Sequence, residues 1–335
     1  MIRILTLAIT VLCLGLTASA GHAKPQCELD RPIRIAGLDW ESSRFHVEVA
    51  QFIFENGYGC KSDVIPGSSI PLLAGMARGD LDVIMEVWKN NLTEAWRKAE
   101  KAGQVTILGI NFPDAVQAWF VPRYLVEGEN ASAKGLTHVR DLPKYKALFR
   151  DPEEPDKGRF YNCKLGWVCE TVNTKKLQAY GLDDHFTNFR TGSSAALSAA
   201  IASAYARKKP IVYYYWGPSW IVGKFDAVTL KEPAYDEKIW AAMKTSENPQ
   251  ETTAYPLTKV FTGANTDFIK KAPKLTVFLR KYQTSNALVS NALVYLKDKK
   301  GARPKDVALH FLRTQKDIWQ KWVPEMIAAR VNAAL

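Results

Sequence analysis

Two α/β lobes are what this sequence predicts, and three features lead there. Strand-like and helix-like patterns alternate from residue 33 onward, which implies parallel strand pairing through right-handed crossovers. The same alternation begins again after a polar stretch, rich in Pro and Gly, over residues 127–157. Once a leader is removed the chain keeps about 310 residues, long enough for two domains with well-buried cores.

The leader comes first. Met1 to Ala23 holds one basic residue, Arg3, an apolar run over residues 4–17, and small residues at Ala18, Ala20 and Ala23, the pattern of a secretory signal peptide. Cleavage fits after Ala20 or after Ala23, and Lys24-Pro25 favours the second as a mature start. Cys13 follows Val11 and Leu12 rather than small residues, which argues against a lipid anchor. No later run is long enough to span a bilayer. Loss of Arg3 takes the formal charge of +11 to about +10. In an exported protein whose basic residues are spread out, that charge does not point to nucleic acid. Four cysteines remain, Cys27, Cys60, Cys163 and Cys169. An even number in an oxidising compartment reads as disulfides, with three pairings open. Cys163 with Cys169 and Cys27 with Cys60 is the preferred one, because the two pairs lie in separate parts of the chain. The cysteine spacing and five scattered histidines do not suit a metal, and no cofactor is expected.

In chain order, residues 33–38 read as a strand. Ser42-Ser43 then lead into a helix with apolar Phe45, Val49, Phe52 and Ile53, stopped by Gly57. A second strand at 62–65 runs into Pro66-Gly67-Ser68-Ser69, whose serines are suited to cap a helix with Pro71 in its first turn and its end at Gly79. The third strand is 81–87. Ligands of open α/β sheets bind beyond the carboxyl ends of the strands, where this chain places Trp40, the 67–69 turn and Trp88. After a helix at 92–102 and a strand at 105–108, residues 116–121 form a strand that crosses between lobes and ends at Pro122. The second lobe has a loop at 162–168, a helix at 170–180 closed by Gly181, and a strand at 186–190. An alanine-rich helix at 195–206 follows, then a β-prone strand at 210–215 that ends in Trp216 and the Gly217-Pro218 turn. The chain returns to the first lobe through 226–230 and a strand at 257–262, and helices broken at Pro273, Gly301 and Pro304 complete it. Lobe 1 is thus expected over residues 24–119 and 221–335, and lobe 2 over 120–220.

The chemistry centres on Cys163-Lys164-Leu165-Gly166-Trp167-Val168-Cys169. A disulfide here would lock a small loop, present the Trp167 ring, and leave the Val168 and Cys169 N–H groups unpaired at a helix start, where they attract an anion. An indole face attracts cations. The combination suits a small zwitterion bearing a quaternary ammonium and a carboxylate. Trp40, Trp88 and Trp216 stand at strand ends beside Gly, Pro or polar residues, not inside apolar stripes, so they are candidate walls for the same ligand. Trp119, inside an apolar strand, is a further candidate, while Trp96, Trp220, Trp240, Trp319 and Trp322 read as structural. Glu41 and Glu86 each stand close to a box tryptophan and are candidates to balance a ligand cation. Magnitudes favour a box over a single stack: one desolvated cation–π contact contributes about 2 kcal/mol, whereas micromolar binding needs about 8 kcal/mol. Enzyme signatures are poor. Gly57-Tyr58-Gly59 lacks the third glycine of a dinucleotide fingerprint and follows a helix. There is no phosphate loop, G-x-S-x-G elbow or zinc-protease helix motif.

Four stretches, taken together, resemble the glycine betaine, proline betaine and choline substrate-binding proteins of ABC transporters. They are Gly79-Asp80-Leu81-Asp82 leading to Glu86-Val87-Trp88, Cys163 through Gly166-Trp167-Val168-Cys169-Glu170, Ala179-Tyr180-Gly181-Leu182, and Tyr213-Tyr214-Tyr215-Trp216-Gly217-Pro218-Ser219-Trp220. The likeness covers most of the mature chain. It implies a type II periplasmic-binding-protein fold, in which each lobe is a central mixed β-sheet flanked by helices and the two close on a cleft. It further implies a periplasmic receptor that holds a quaternary or methylated amine in a tryptophan box and delivers it to a membrane permease, without catalysis. A monomer is expected. By motif match Trp88, Trp167 and Trp216 take the box positions and the Val168 and Cys169 amides take the ligand carboxylate. Trp40 and Trp119 are added as further ligand contacts. Val168 stands where similar proteins have a second glycine, so a narrower pocket is expected. A secreted enzyme acting on a small methylated amine is the alternative; it needs a positioned base or nucleophile, and the sequence offers none.

Overall fold

Short β-prone runs between capped helices assemble into one nine-stranded sheet in the computed structural model, which describes residues 26–335. The expected leader, residues 1–23, lies outside the described residues. The strands are β1 (Ile33–Leu38), β2 (Ser62–Gly67), β3 (Val83–Trp88), β4 (Val105–Pro122), β5 (Gly158–Asn162), β6 (Phe186–Arg190), β7 (Val212–Gly217), β8 (Ala227–Thr229) and β9 (Thr258–Asn265). Their order is β2-β1-β3-β9-β4-β7-β5-β6, with β8 also on β4. β1 runs parallel to β2 and β3, and β5 runs parallel to β6 and β7. β9 is antiparallel to β3 and β4, and β4 is antiparallel to β7. Two parallel groups therefore meet across an antiparallel seam, and the sheet is mixed.

The seam is β4. Its first part pairs with β9 and its last part, from Val116, with β7. The two strands expected at 105–108 and 116–121 are thus one, with a register shift between Phe112 and Ala115, where Pro113 cannot donate to the ladder. The segment expected to lead back to the first group places β8 against Phe120–Pro122 instead, and the chain rejoins the first group at β9.

Helices follow the strands on sequence grounds. The helix Glu41–Phe52 buries Phe45 and Val49, and Ser69–Arg78 ends at Gly79, whose φ of 81° is the left-handed cap that glycine adopts without strain. The core is aromatic, with Phe45, Phe112, Phe160, Trp96, Trp119 and Trp319 fully buried. The chain's later part is helical, including Pro273–Lys281, Asn286–Asp298, Pro304–Thr314 and Glu325–Ala334. No helix among the described residues is long and apolar enough to cross a membrane. Both preferred disulfides form: Cys27–Cys60 ties the segment before β1 to the chain just ahead of β2, and Cys163–Cys169 closes the loop after β5.

Candidate ligand-binding site

The carboxyl ends of β1, β3, β5 and β7 converge on one cavity. Trp40 follows β1, Trp88 ends β3, Trp167 stands on the loop after β5, and Trp216 is the next-to-last residue of β7. All four line the cavity together with apolar Leu38, Leu73 and Ile84. The space open to the centre of a water-sized sphere is about 60 Å³, several times the ~10–15 Å³ that one water requires.

Three rings stand nearly perpendicular to one another. Trp167 lies 5.3 Å from Trp216 at 84° and 5.5 Å from Trp40 at 82°, and Trp40 lies 6.5 Å from Trp216 at 75°. Edge-to-face contacts of this kind are favourable because the positive edge of one ring meets the negative face of the next. Trp88 closes a further side, half-buried, with its ring 6.0 Å from Phe112.

Carboxylates hold three of these indoles by their N–H groups. Glu86, two residues before Trp88 on β3, accepts through Oε2 from Trp40 Nε1 at 2.8 Å and from Trp88 Nε1 at 3.0 Å. Burial pushes its carboxyl up to about 6, against the opposing effect of the neighbouring Ser42 hydroxyl and of those two bonds. His46 Nε2 stands 3.9 Å from Glu86 Oε1. Burial drives that imidazole down to about 3, so it is neutral at physiological pH, and its Nδ1 is bonded to the Tyr282 hydroxyl at 2.8 Å. Asp39, after β1, accepts from Trp167 Nε1 at 2.6 Å and pairs with Lys164.

The loop from Cys163 to Trp167 is fixed from both sides. Beneath it, Asn162 Oδ1 accepts from the Cys163 N–H at 2.6 Å and from Asn173 Nδ2 at 2.8 Å. Across from it, the Ile70 N–H donates to the Gly166 carbonyl at 3.2 Å. Gly166 is required by its φ of 87°, and a Cβ there would also lie close to Ser68 Cβ, at 3.1 Å.

Several expectations are corrected here. The Val168 N–H, expected to be unpaired, donates to Ser69 Oγ at 3.2 Å, because the starts of helices Ser69–Arg78 and Val168–Ala179 face each other. Ser68 and Ser69, expected as caps, do not cap their own helix: the Ser68 hydroxyl turns to Asp39 on the same side, and the Ser69 hydroxyl reaches across the junction towards Gly166. Val168 and Cys169 do line the cavity. Trp119 does not. It is fully buried two residues beyond Gln117 on the same strand face, packed 4.2 Å from Phe160, with Nε1 donating to Asn173 Oδ1 at 2.7 Å. Glu41 also lies off the cavity, where it accepts from Trp220 Nε1 at 3.2 Å and pairs with Lys297 at 2.8 Å.

Sequence reasoning missed a polar cluster on the wall. Gln117 Oε1 accepts from Asn91 Nδ2 at 2.8 Å and from the Tyr214 hydroxyl at 2.7 Å, and all three residues line the cavity. Two signals were present: Gln117 interrupts an apolar strand, and Tyr214 precedes Trp216 by two, the same-face spacing of a strand. Among the described residues no group of three or more His, Cys, Asp or Glu gathers to hold a metal.

Residues 31–314 match the family described as the substrate binding domain of ABC-type glycine betaine transport system. The chain belongs to that family. As a glycine betaine-type substrate-binding domain it is 26% identical over 223 residues to the glycine betaine/proline betaine-binding periplasmic protein of Escherichia coli K12, covering 62% of this chain and 64% of that one. The chain thus spans less than two thirds of that relative. It is 23% identical over 297 residues to the trimethylamine N-oxide-binding protein of Pelagibacter ubique, covering 86% of this chain and 90% of that protein. Among solved structures it resembles the ProX glycine betaine, L-proline-binding protein of Borrelia burgdorferi (TM-score 0.72, 16% identity, 90% of this chain and 100% of that one). It also resembles an ABC-transporter choline binding protein in complex with choline (TM-score 0.71, 16% identity, 90% and 97%). The fold is the expected two-lobed, type II periplasmic-binding-protein fold. A family of receptors gives no support to the enzyme alternative.

Proposed function

We propose that this protein is a periplasmic receptor that binds one quaternary or methylated amine, such as glycine betaine or choline, and passes it to the permease of an ABC transporter. The observation that carries the reading is the set of three mutually perpendicular indoles, 5.3 to 6.5 Å apart, around one cavity. Such a box presents several negative ring faces to a compact cation and buries its methyl groups. Trp40, Trp88, Trp167 and Trp216 form the walls. A ligand carboxylate takes the Cys169 N–H and competes with Ser69 for the Val168 N–H.

The chain is exported by its leader and works as a monomer without catalysis. Lobe 1 comprises residues 24–119 and 221–335 and lobe 2 residues 120–220, except that β8 pairs with Phe120–Pro122 and so belongs with the second lobe. Asp39 and Ser69 on one lobe and Lys164, Gly166, Trp167 and Val168 on the other then hold the closed form together. Calorimetry against glycine betaine, proline betaine, choline, carnitine and trimethylamine N-oxide tests the reading. Saturable one-to-one heat with at least one of them is expected. No heat with any, or turnover of the amine, contradicts it.

A further inference from the structure

We propose that Glu86 sets the charge of the box: one buried carboxylate holds two of its walls and supplies the counter-charge to the ligand's ammonium. This rests on the reading of the cavity as a methylated-amine site and adds to it a residue that decides between a cation and a neutral molecule of the same shape.

The geometry singles out Glu86. It lines the cavity, is 2% exposed, and spends one oxygen on the indole N–H groups of Trp40 and Trp88. Its other oxygen, Oε1, has no hydrogen-bond partner among the described residues. No lysine or arginine lines the cavity among the described residues, and Lys164 nearby is paired with Asp39. The groups packed around Glu86 are Ser42 and His46 on the helix Glu41–Phe52, Tyr282 behind His46, and the two indoles. His46 is held neutral by its burial. An ionised Glu86 is therefore a buried anion without a cationic partner, which is costly. A quaternary ammonium held by the neighbouring rings relieves that cost, and a neutral molecule does not. The two indoles also point their N–H dipoles at the carboxylate, so one group fixes ring orientation and charge together.

A pH dependence follows. Burial places the carboxyl near 6 in the free protein, and a bound cation favours its ionised form, so it lowers that value. Affinity for a cation is then full above about pH 7 and falls as the pH drops through 6, by about tenfold at pH 5. His46, neutral throughout this range, does not contribute.

The test compares wild type with Glu86→Gln, which keeps the shape and an oxygen acceptor for the indoles. Both are titrated by calorimetry with choline and with 3,3-dimethylbutan-1-ol, its neutral carbon isostere, between about pH 5 and pH 7.5. Wild type is expected to prefer choline to the isostere by about 100-fold, and the variant to lose about 30-fold for choline, within about threefold for the isostere, with a flat pH profile. Equal loss for both molecules reduces Glu86 to scaffold and overturns the proposal. Choline bound by wild type no better than the isostere overturns it as well. Failure of every methylated amine to bind overturns instead the reading of the cavity. Should the variant misfold, the wild-type profile decides: choline affinity unchanged between pH 7.5 and 5 contradicts the proposal.

Discussion

Replacing Asp39 separates the two contributions that hold Trp167 in place. Its carboxylate accepts the Trp167 indole N–H at 2.6 Å and pairs with Lys164, and both interactions run from the end of β1 to the loop after β5. The ion pair is partly solvated, with Lys164 17% and Asp39 23% exposed, so it contributes about 0.5–1 kcal/mol. The indole bond is charge-assisted and contributes about 1.5–3 kcal/mol. Asp39→Ala removes both and should weaken ligand binding by about 2–4 kcal/mol, or roughly 30- to 900-fold. Asp39→Asn keeps an oxygen acceptor but loses the ion pair and the charge assistance, so it should cost about 1.5–2 kcal/mol, roughly 10- to 30-fold. The assay is calorimetry at low and high salt. Salt should shrink the difference between wild type and Asn, which is ionic, and leave the difference between Asn and Ala, which is a hydrogen bond. Asn as damaging as Ala, or Ala within twofold of wild type, would refute the reasoning.

Trp167→Ala removes a ring that meets Trp40 at 5.5 Å and Trp216 at 5.3 Å. It takes away a cation–π interaction of about 2 kcal/mol and the edge-to-face packing that orients the other two rings. Affinity should therefore fall at least about 100-fold while the circular dichroism spectrum is kept; binding within a few fold of wild type would contradict the box. Trp119→Phe keeps the packing on Phe160 but loses the bond to Asn173, so chemical denaturation should show a loss of about 1–3 kcal/mol. Ligand affinity should stay unchanged, and a loss like that of Trp167→Ala would contradict the core placement of Trp119. Serine at both Cys163 and Cys169 opens a ring of sequence separation 6, against 33 for Cys27 and Cys60. Loop entropy alone then predicts stability losses of about 2 and about 4 kcal/mol. The small ring should cost the greater share of affinity, because it carries Trp167, and equal affinity in the two double variants would mark it as structural only.

The elements most legible in the sequence were those with clear punctuation. β1 and β6 occupy the expected residues, bounded by turn-forming neighbours, and the helix Ser69–Arg78 ends at Gly79 as read. β5 and β8 were missed: each is five residues or fewer and neither shows a clean apolar alternation. β4 read as two strands because Pro113 and Asp114 break its pattern locally, while pairing on both sides carries the strand through. At the site, strand-end position brought out Trp40, Trp88 and Trp216, since topology alone places strand ends on one rim, and the cysteine-bracketed loop at a helix start brought out Trp167. Trp119 was drawn in by residue type, although its strand continues past the cavity into the core. Asn91, Gln117 and the cross-junction role of Ser69 depend on which side chains meet in space, and no local pattern encodes that.

The central claim is that three perpendicular indoles enclose the ligand's methylated head group. A crystal structure of the protein with a bound methylated amine tests it most directly. The account predicts the ammonium nitrogen within about 6 Å of the ring centroids of Trp40, Trp167 and Trp216, with Glu86 still bonded to Trp40 and Trp88. A ligand seated elsewhere, or one whose head group points away from these rings, would contradict it.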